Sequence, residues 1–206
     1  SPLPVIVLDD HGAGEPVNSD GNQWTTAMMQ LYLPADGTAR LVDPASGTGI
    51  PDLVARTGVR IRGSSSAEFA KKSYALETRD ELNADLDVAF PGMAADSDWI
   101  LNGPFLYDDT YIHNAWISEV SRRIGRWAPR TLPCELFFNQ NGGRLNYGDY
   151  AGVYILTEKI KSGGGRLDIH AMEPFDASGS ALTGRYIFKI DRPDPGEFTW
   201  TISNAG

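Results

Sequence analysis

Val59-Arg60-Ile61-Arg62-Gly63-Ser64-Ser65-Ser66, followed by Phe69-Ala70-Lys71-Lys72-Ser73-Tyr74, is the stretch on which the fold turns. Apolar Val59 and Ile61 alternate with Arg60 and Arg62, the period of a strand with one face covered. Gly63 to Ser66 then supply a turn of small residues rich in backbone and hydroxyl donors. Two lysines open a second strand, in which Tyr74, Leu76 and Thr78 share a face. A hairpin of this kind gathers cations and N–H donors at one end of a sheet, an arrangement suited to anions and above all to phosphates. An ordinary hairpin with solvated lysines has the same local pattern.

The surroundings of this hairpin are strand-rich. The 22 glycines and 13 prolines among 206 residues predict many turns. Leu3 to Leu8 is a short apolar run that suits a buried first strand, and Asp9 to Asn22 has loop composition. Thr26 to Leu33 reads as a strand, with Pro34 to Gly37 turning into a further strand over Thr38 to Val42. Trp99 to Asn102 is a compact buried strand, and Leu132 to Asn139 pairs with Gly152 to Lys159 across an Asn/Gly loop. Gly184 to Ile190 gives one more strand, ending at Asp191 and Arg192.

One long helix is predicted from about Asp109 to Gly125. Ile112, Trp116, Ile117, Val120 and Ile124 recur at three-to-four spacing and predict an apolar face against a sheet, with Trp116 in the core. Asp108, Asp109 and Thr110 offer N-caps, and Gly125 offers a stop. The expected class is α+β, a mostly antiparallel sheet with one principal helix.

Composition excludes several functions. A net charge of -9, with no long basic run to offset it, argues against nucleic acid as the main partner. No stretch approaches the roughly 20 apolar residues of a membrane helix. Cys134 is the single cysteine, which rules out an internal disulfide and a cysteine zinc site; its apolar strand setting predicts an inert core thiol. Asp9-Asp10-His11 could be a metal cluster or a solvated turn, and Asp191 to Asp194 a calcium site or a capped strand end. His11, His113 and His170 have no ligand spacing, and no Gly-x-Ser-x-Gly elbow supports a serine hydrolase. The chain begins at Ser1 with no leader, as if one were removed or the segment excised.

Read in order, further blocks join the hairpin: Phe90-Pro91-Gly92-Met93, Ser97-Asp98-Trp99-Ile100-Leu101 and Asp108-Asp109-Thr110-Tyr111-Ile112-His113-Asn114. Tyr150 to Ile160 and Thr183 to Arg192 complete the set. Over about residues 55–192 this order resembles the CotH family of spore-coat and secreted atypical protein kinases. The resemblance implies the N-terminal part of a kinase-like fold and transfer of phosphate from ATP, with Mg or Mn, to serine or threonine of extracellular or coat proteins. Residues 1–50 would be a strand-and-hairpin extension packed on the same domain, and 51–206 the nucleotide-gripping portion.

Carried across, Arg62, Gly63, Ser64 and Ser65 with Ser66 would cover the phosphates, and Lys72, or else Lys71, would grip them. Glu119 would orient that lysine, unless it pairs with Arg122 or Arg123 one turn away. Glu158 would lie near a hinge where backbone groups meet the adenine. The family's catalytic aspartate with its His-Asn pair and its Trp-Asp metal run would follow Asp191, and neither occurs up to Gly206. By that resemblance the segment would hold neither a catalytic residue nor a metal ligand, and the catalytic half would lie in a continuation of the chain. A different class fits the same acidic, cysteine-poor composition: a non-catalytic cell-surface module, either an adhesin or a subunit of an extracellular assembly. Either reading makes the protein secreted or surface-bound.

Overall fold

In the computed structural model, residues 1–18, 23–41, 49–105, 108–169 and 179 are described. The strands are β1 (Val5–Asp9), β2 (Thr25–Tyr32), β3 (Leu53–Arg62), β4 (Ser73–Arg79), β5 (Asp98–Asn102), β6 (Thr131–Asn139) and β7 (Tyr150–Glu158). One α-helix, α1 (His113–Arg123), lies between β5 and β6. The strands close into a barrel in the order β1-β2-β3-β4-β5-β7-β6. Seven staves cannot alternate in direction all the way round, so one seam must be parallel. That seam is β1 against β6, Val5 opposite Glu135 through Asp9 opposite Asn139, while every other pair is antiparallel. Closure removes the sheet edges that would otherwise invite pairing with another chain.

This architecture corrects the expected α+β class. The molecule is mostly β, a closed barrel rather than a sheet with a principal helix packed on it, and it is not the N-terminal part of a kinase-like fold. The helix is correspondingly short, and it buries no residue. Trp116, expected in the core, is 64% exposed, and Ile112, Ile117 and Ile124 are exposed with it. Asp108 accepts the His113 N–H at 3.0 Å at its start. At its end Gly125, at φ +79°, donates to Arg122 while Arg126 donates to Ser121, a Schellman stop.

Period-two alternation fills the barrel. Ile6, Leu8, Ala27, Met29, Val59, Ile61, Tyr74, Leu76, Trp99, Leu101, Cys134, Leu136, Phe138, Tyr154 and Leu156 form one buried cluster. Cys134 is wholly enclosed there, and burial pushes its thiol up to about 12, so it is inert. β1 and β2, from the first 50 residues, are barrel staves. Residues 38–41 form no strand; Ala39 exchanges backbone hydrogen bonds with Ser1 and packs with Val5, Val7 and Phe137 on the outer face of β1 and β6. The predicted hairpins Val59–Tyr74 and Leu132–Lys159 are present as β3–β4 and β6–β7.

The barrel belongs to a compact unit, Ser1–Leu167, and Asp168–Gly206 forms a second unit. The strand predicted over Gly184 to Ile190, Asp191 to Asp194, and His170 lie outside the described residues. Among the described residues no helix is long and apolar enough to cross a membrane.

The base of the barrel carries an ionic network. Lys159 and Lys161 each reach Asp98, at 2.9 and 2.8 Å, and Lys161 also reaches Asp96 at 2.8 Å. Burial opposes ionisation of Asp98, but the two lysines together outweigh it and hold its carboxyl below the ordinary 3.8. A carboxylate depressed in the folded state contributes stability that is complete above the unfolded value and is lost as pH falls through the folded one. The urea midpoint of the wild-type chain should therefore drop below pH 3.8 more steeply than that of Asp98→Asn. Parallel acid limbs would show that these contacts contribute nothing. For Lys161 the sign reverses: its raised value gives stability that is complete below 10.5 and fades as pH rises through it.

Candidate functional site

The ends of β3, β4 and β5 and the first residues of β7 meet at one mouth of the barrel. The hairpin turn is built around Gly63, whose φ of +110° suits glycine and whose Cβ would stand 2.2 Å from Ser66 Oγ. Ser65–Glu68 then make a 3-10 turn in which Ala67 and Phe69 N–H groups donate to the Ser64 and Ser66 carbonyls. Two of the turn's donors are thus consumed internally, while Arg62, Gly63, Ser64 and Ser65 all face solvent.

The two lysines that follow take different environments. Lys72 Nζ donates to the Ala67 carbonyl at 2.7 Å and stands 4.0 Å from Glu15 of the β1–β2 loop. Its side chain is 22% exposed, so its charge sits at the rim. Lys71 reaches inward: its Nζ donates to the Val153 carbonyl and stands 3.4 Å from the Tyr111 hydroxyl. The rings of Tyr111 and Tyr154 flank the same nitrogen at 4.5 and 4.6 Å. Burial holds the Lys71 ammonium below the ordinary lysine range.

Two glycines make room for this packing. Gly152, at φ +99° beside the register shift between β6 and β7, would place a Cβ 3.4 Å from Lys71 Nζ. Gly103 would place one 2.7 Å from the Lys72 carbonyl and 2.8 Å from the Tyr154 ring. Tyr111 itself holds φ +60°, a strained backbone for an aromatic residue, just before α1. Together these residues line a cavity of about 700 Å³ that includes Lys71, Lys72, Phe105, Tyr111, Gly152 and Tyr154.

The residues singled out from sequence do not all converge. Lys71 and Lys72 share the mouth cavity, whereas Arg62 and Glu158 line a separate cleft of about 430 Å³ beside α1, with Asn102, Asn114, Ser118 and Thr157. Lys71 meets β7 at Val153, and Glu158 lies five residues farther along the strand, roughly 17 Å away. The Glu158 carboxylate is completely buried and committed: it takes Arg166 Nη1 at 2.5 Å and the Arg130 backbone N–H at 2.8 Å. Glu119 does not reach either lysine. Its oxygens pair with Arg122 at 2.6 Å and Arg123 at 2.7 Å, the local alternative. Asp9 and Asp10 form turns, accepting the N–H groups of His11, Gly12 and Ala13.

Sequence reading missed Glu15, Tyr111, Tyr154, Gly103 and Gly152. Tyr111, Gly152 and Tyr154 lie within recognised blocks, but nothing in their spacing shows that they surround one amine. Glu15 belongs to a loop of ordinary composition and carries no signal.

Among the described residues no group of three histidine, cysteine or acidic side chains could hold a metal ion. Among the described residues, the charged side chains lining the mouth cavity are those of Lys71 and Lys72, with Glu15 4.0 Å from Lys72, a set that does not fit Mg or Mn. A family model described as CotH kinase protein matches residues 59–200. No curated protein matches the sequence.

Proposed function

Since this chain belongs to the CotH kinase protein family, we propose that its barrel mouth grips the phosphates of ATP within a longer secreted or spore-coat protein kinase. That enzyme would transfer phosphate to serine or threonine of extracellular or coat proteins. The observation that carries this reading is Lys72, a rim ammonium fixed by the Ala67 carbonyl and faced by Glu15, beside the exposed Gly63–Ser65 turn.

Phosphoryl transfer depends on positioning and on neutralising charge, and a lysine held at fixed geometry supplies both. Glu15 takes the bracing role first given to Glu119. It lies at 4.0 Å rather than in hydrogen-bond contact, so an anion need not displace a tight ion pair to reach Lys72, whose hydrogen bond is to the Ala67 carbonyl. The mouth cavity, at about 700 Å³, falls within the ordinary range for small-molecule sites.

A thermal titration of the full-length protein with ATP and Mg or Mn tests the reading. A ligand of the native state at one hundred times its Kd adds about 2.7 kcal/mol. Melting should therefore rise with ATP for the wild type, while Lys72→Ala should show no shift although its ligand-free melting is preserved. A flat wild-type titration at millimolar nucleotide would overturn the kinase reading in favour of the non-catalytic surface module.

A further inference from the structure

We propose that Lys71 is a reactive amine that condenses with small anionic carbonyl compounds entering the mouth cavity. The described lysines differ sharply in what meets their nitrogen. Lys159 and Lys161 are paired with Asp98 and Asp96, and Lys72 faces Glu15. Among the described residues, no carboxylate pairs with Lys71.

Among the described residues, the groups in contact with Lys71 are neutral or cationic. They are Tyr111 from the segment before α1, Tyr154 and the Val153 carbonyl from β7, Cys134 from β6, Tyr74 from β4, and neighbouring Lys72. Burial pushes the Cys134 thiol and the Tyr74 phenol up to about 12 and raises Tyr154 as well, so none of them supplies a counter-charge near neutrality. An amine removed from water without a carboxylate is the arrangement that gives lysine nucleophilic and Schiff-base chemistry. The cavity gives it space to react.

The step is a simple condensation. The uncharged amine attacks an aldehyde carbon, the carbinolamine loses water, and a C=N bond replaces the C=O bond, with no oxidant or reductant consumed. Lys72, on the same cavity wall, supplies a cation for a phosphate or carboxylate carried by the aldehyde. This reactivity is independent of nucleotide binding, since it requires the enclosed Lys71 amine and the cavity beside it rather than the charge of Lys72.

Pyridoxal 5′-phosphate followed by borohydride reduction and peptide mapping tests it on the full-length protein. The expected result is a pyridoxyl group on Lys71 at aldehyde levels that leave the other lysines unmodified. Lys71→Arg should lose that label with no change elsewhere. Lys72→Ala should lose more of its labelling rate with pyridoxal 5′-phosphate than with pyridoxal, which lacks the phosphate. Label spread evenly over the lysines, or absent from Lys71 in the wild-type chain, would overturn the proposal; equal rates for the two aldehydes would overturn the preference for anions. Protection by ATP reports separately on nucleotide binding, and its absence leaves the reactivity of Lys71 standing.

Discussion

Replacing Glu158 by alanine will lower the unfolding free energy by about 3–5 kcal/mol. Glu158 is the last residue of β7, and its side chain is sealed inside the base of the barrel. There it accepts the Arg166 guanidinium at 2.5 Å and the Arg130 backbone N–H at 2.8 Å, with Arg130 Nε at 3.3 Å. The Arg166 side chain is only 1% exposed. Its Nε stands 3.4 Å from Asp96 without completing a hydrogen bond, so Glu158 is its principal counter-charge. Removing that carboxylate strands a buried cation, whereas removing both partners does not. Glu158→Leu combined with Arg166→Met should therefore recover most of the loss, because desolvating the pair offsets much of its attraction. Urea unfolding of the three variants decides the matter: a loss below 1 kcal/mol for Glu158→Ala would show that water reaches Arg166.

The same residue shows where sequence reading reached its limit. The position of Glu158 at the end of a strand was legible from the apolar alternation of Tyr154, Leu156 and their neighbours. Its partner was not, because Arg166 lies beyond a Gly-rich turn whose path no local pattern fixes. Pairings that span only a turn of helix behave differently. Glu119 finds Arg122 and Arg123 whenever the helix forms, and this built-in proximity prevails over a lysine some 47 positions upstream.

Strand positions were likewise readable from period-two patterning, since each depends on a few consecutive residues. The closure of the sheet was not, because the β1–β6 seam joins residues about 130 apart and leaves no periodic trace. That seam closes the expected mostly antiparallel sheet into a barrel. The barrel interior is then filled by its own side chains, and it requires no covering helix. The three-to-four spacing of Ile112, Trp116 and Ile124 correctly indicated that α1 forms, but amphipathicity alone does not say what the apolar face meets. At the mouth, the two adjacent lysines were visible, while the distinction between them comes from Gly103, Gly152 and two tyrosines brought in from distant segments.

Trp99→Ala should cost about 3–5 kcal/mol, the ordinary range for deleting a large buried aromatic. Trp99 is 1% exposed, meets Phe90 edge-on with ring centroids 4.6 Å apart, and donates its indole N–H to the Asp96 carbonyl at 2.9 Å. The Arg166 guanidinium carbon lies 4.6 Å from the centre of its ring. In water such a contact is weak, but here both partners are desolvated, where a cation over an aromatic face contributes about 2 kcal/mol. Trp99 and Arg166 should therefore be coupled through the ring face as well as through packing. In a double-mutant cycle with Arg166→Met, Trp99→Ala should show a coupling above about 0.5 kcal/mol, the threshold for residues in contact. Trp99→Phe keeps a ring under the guanidinium and loses the N–H, so it should retain part of that coupling while losing the bond to Asp96. Strict additivity of Trp99→Ala with Arg166→Met would mean that Trp99 stabilises the barrel through burial alone, and that Arg166 is held in place by Glu158 and Asp96 without the ring.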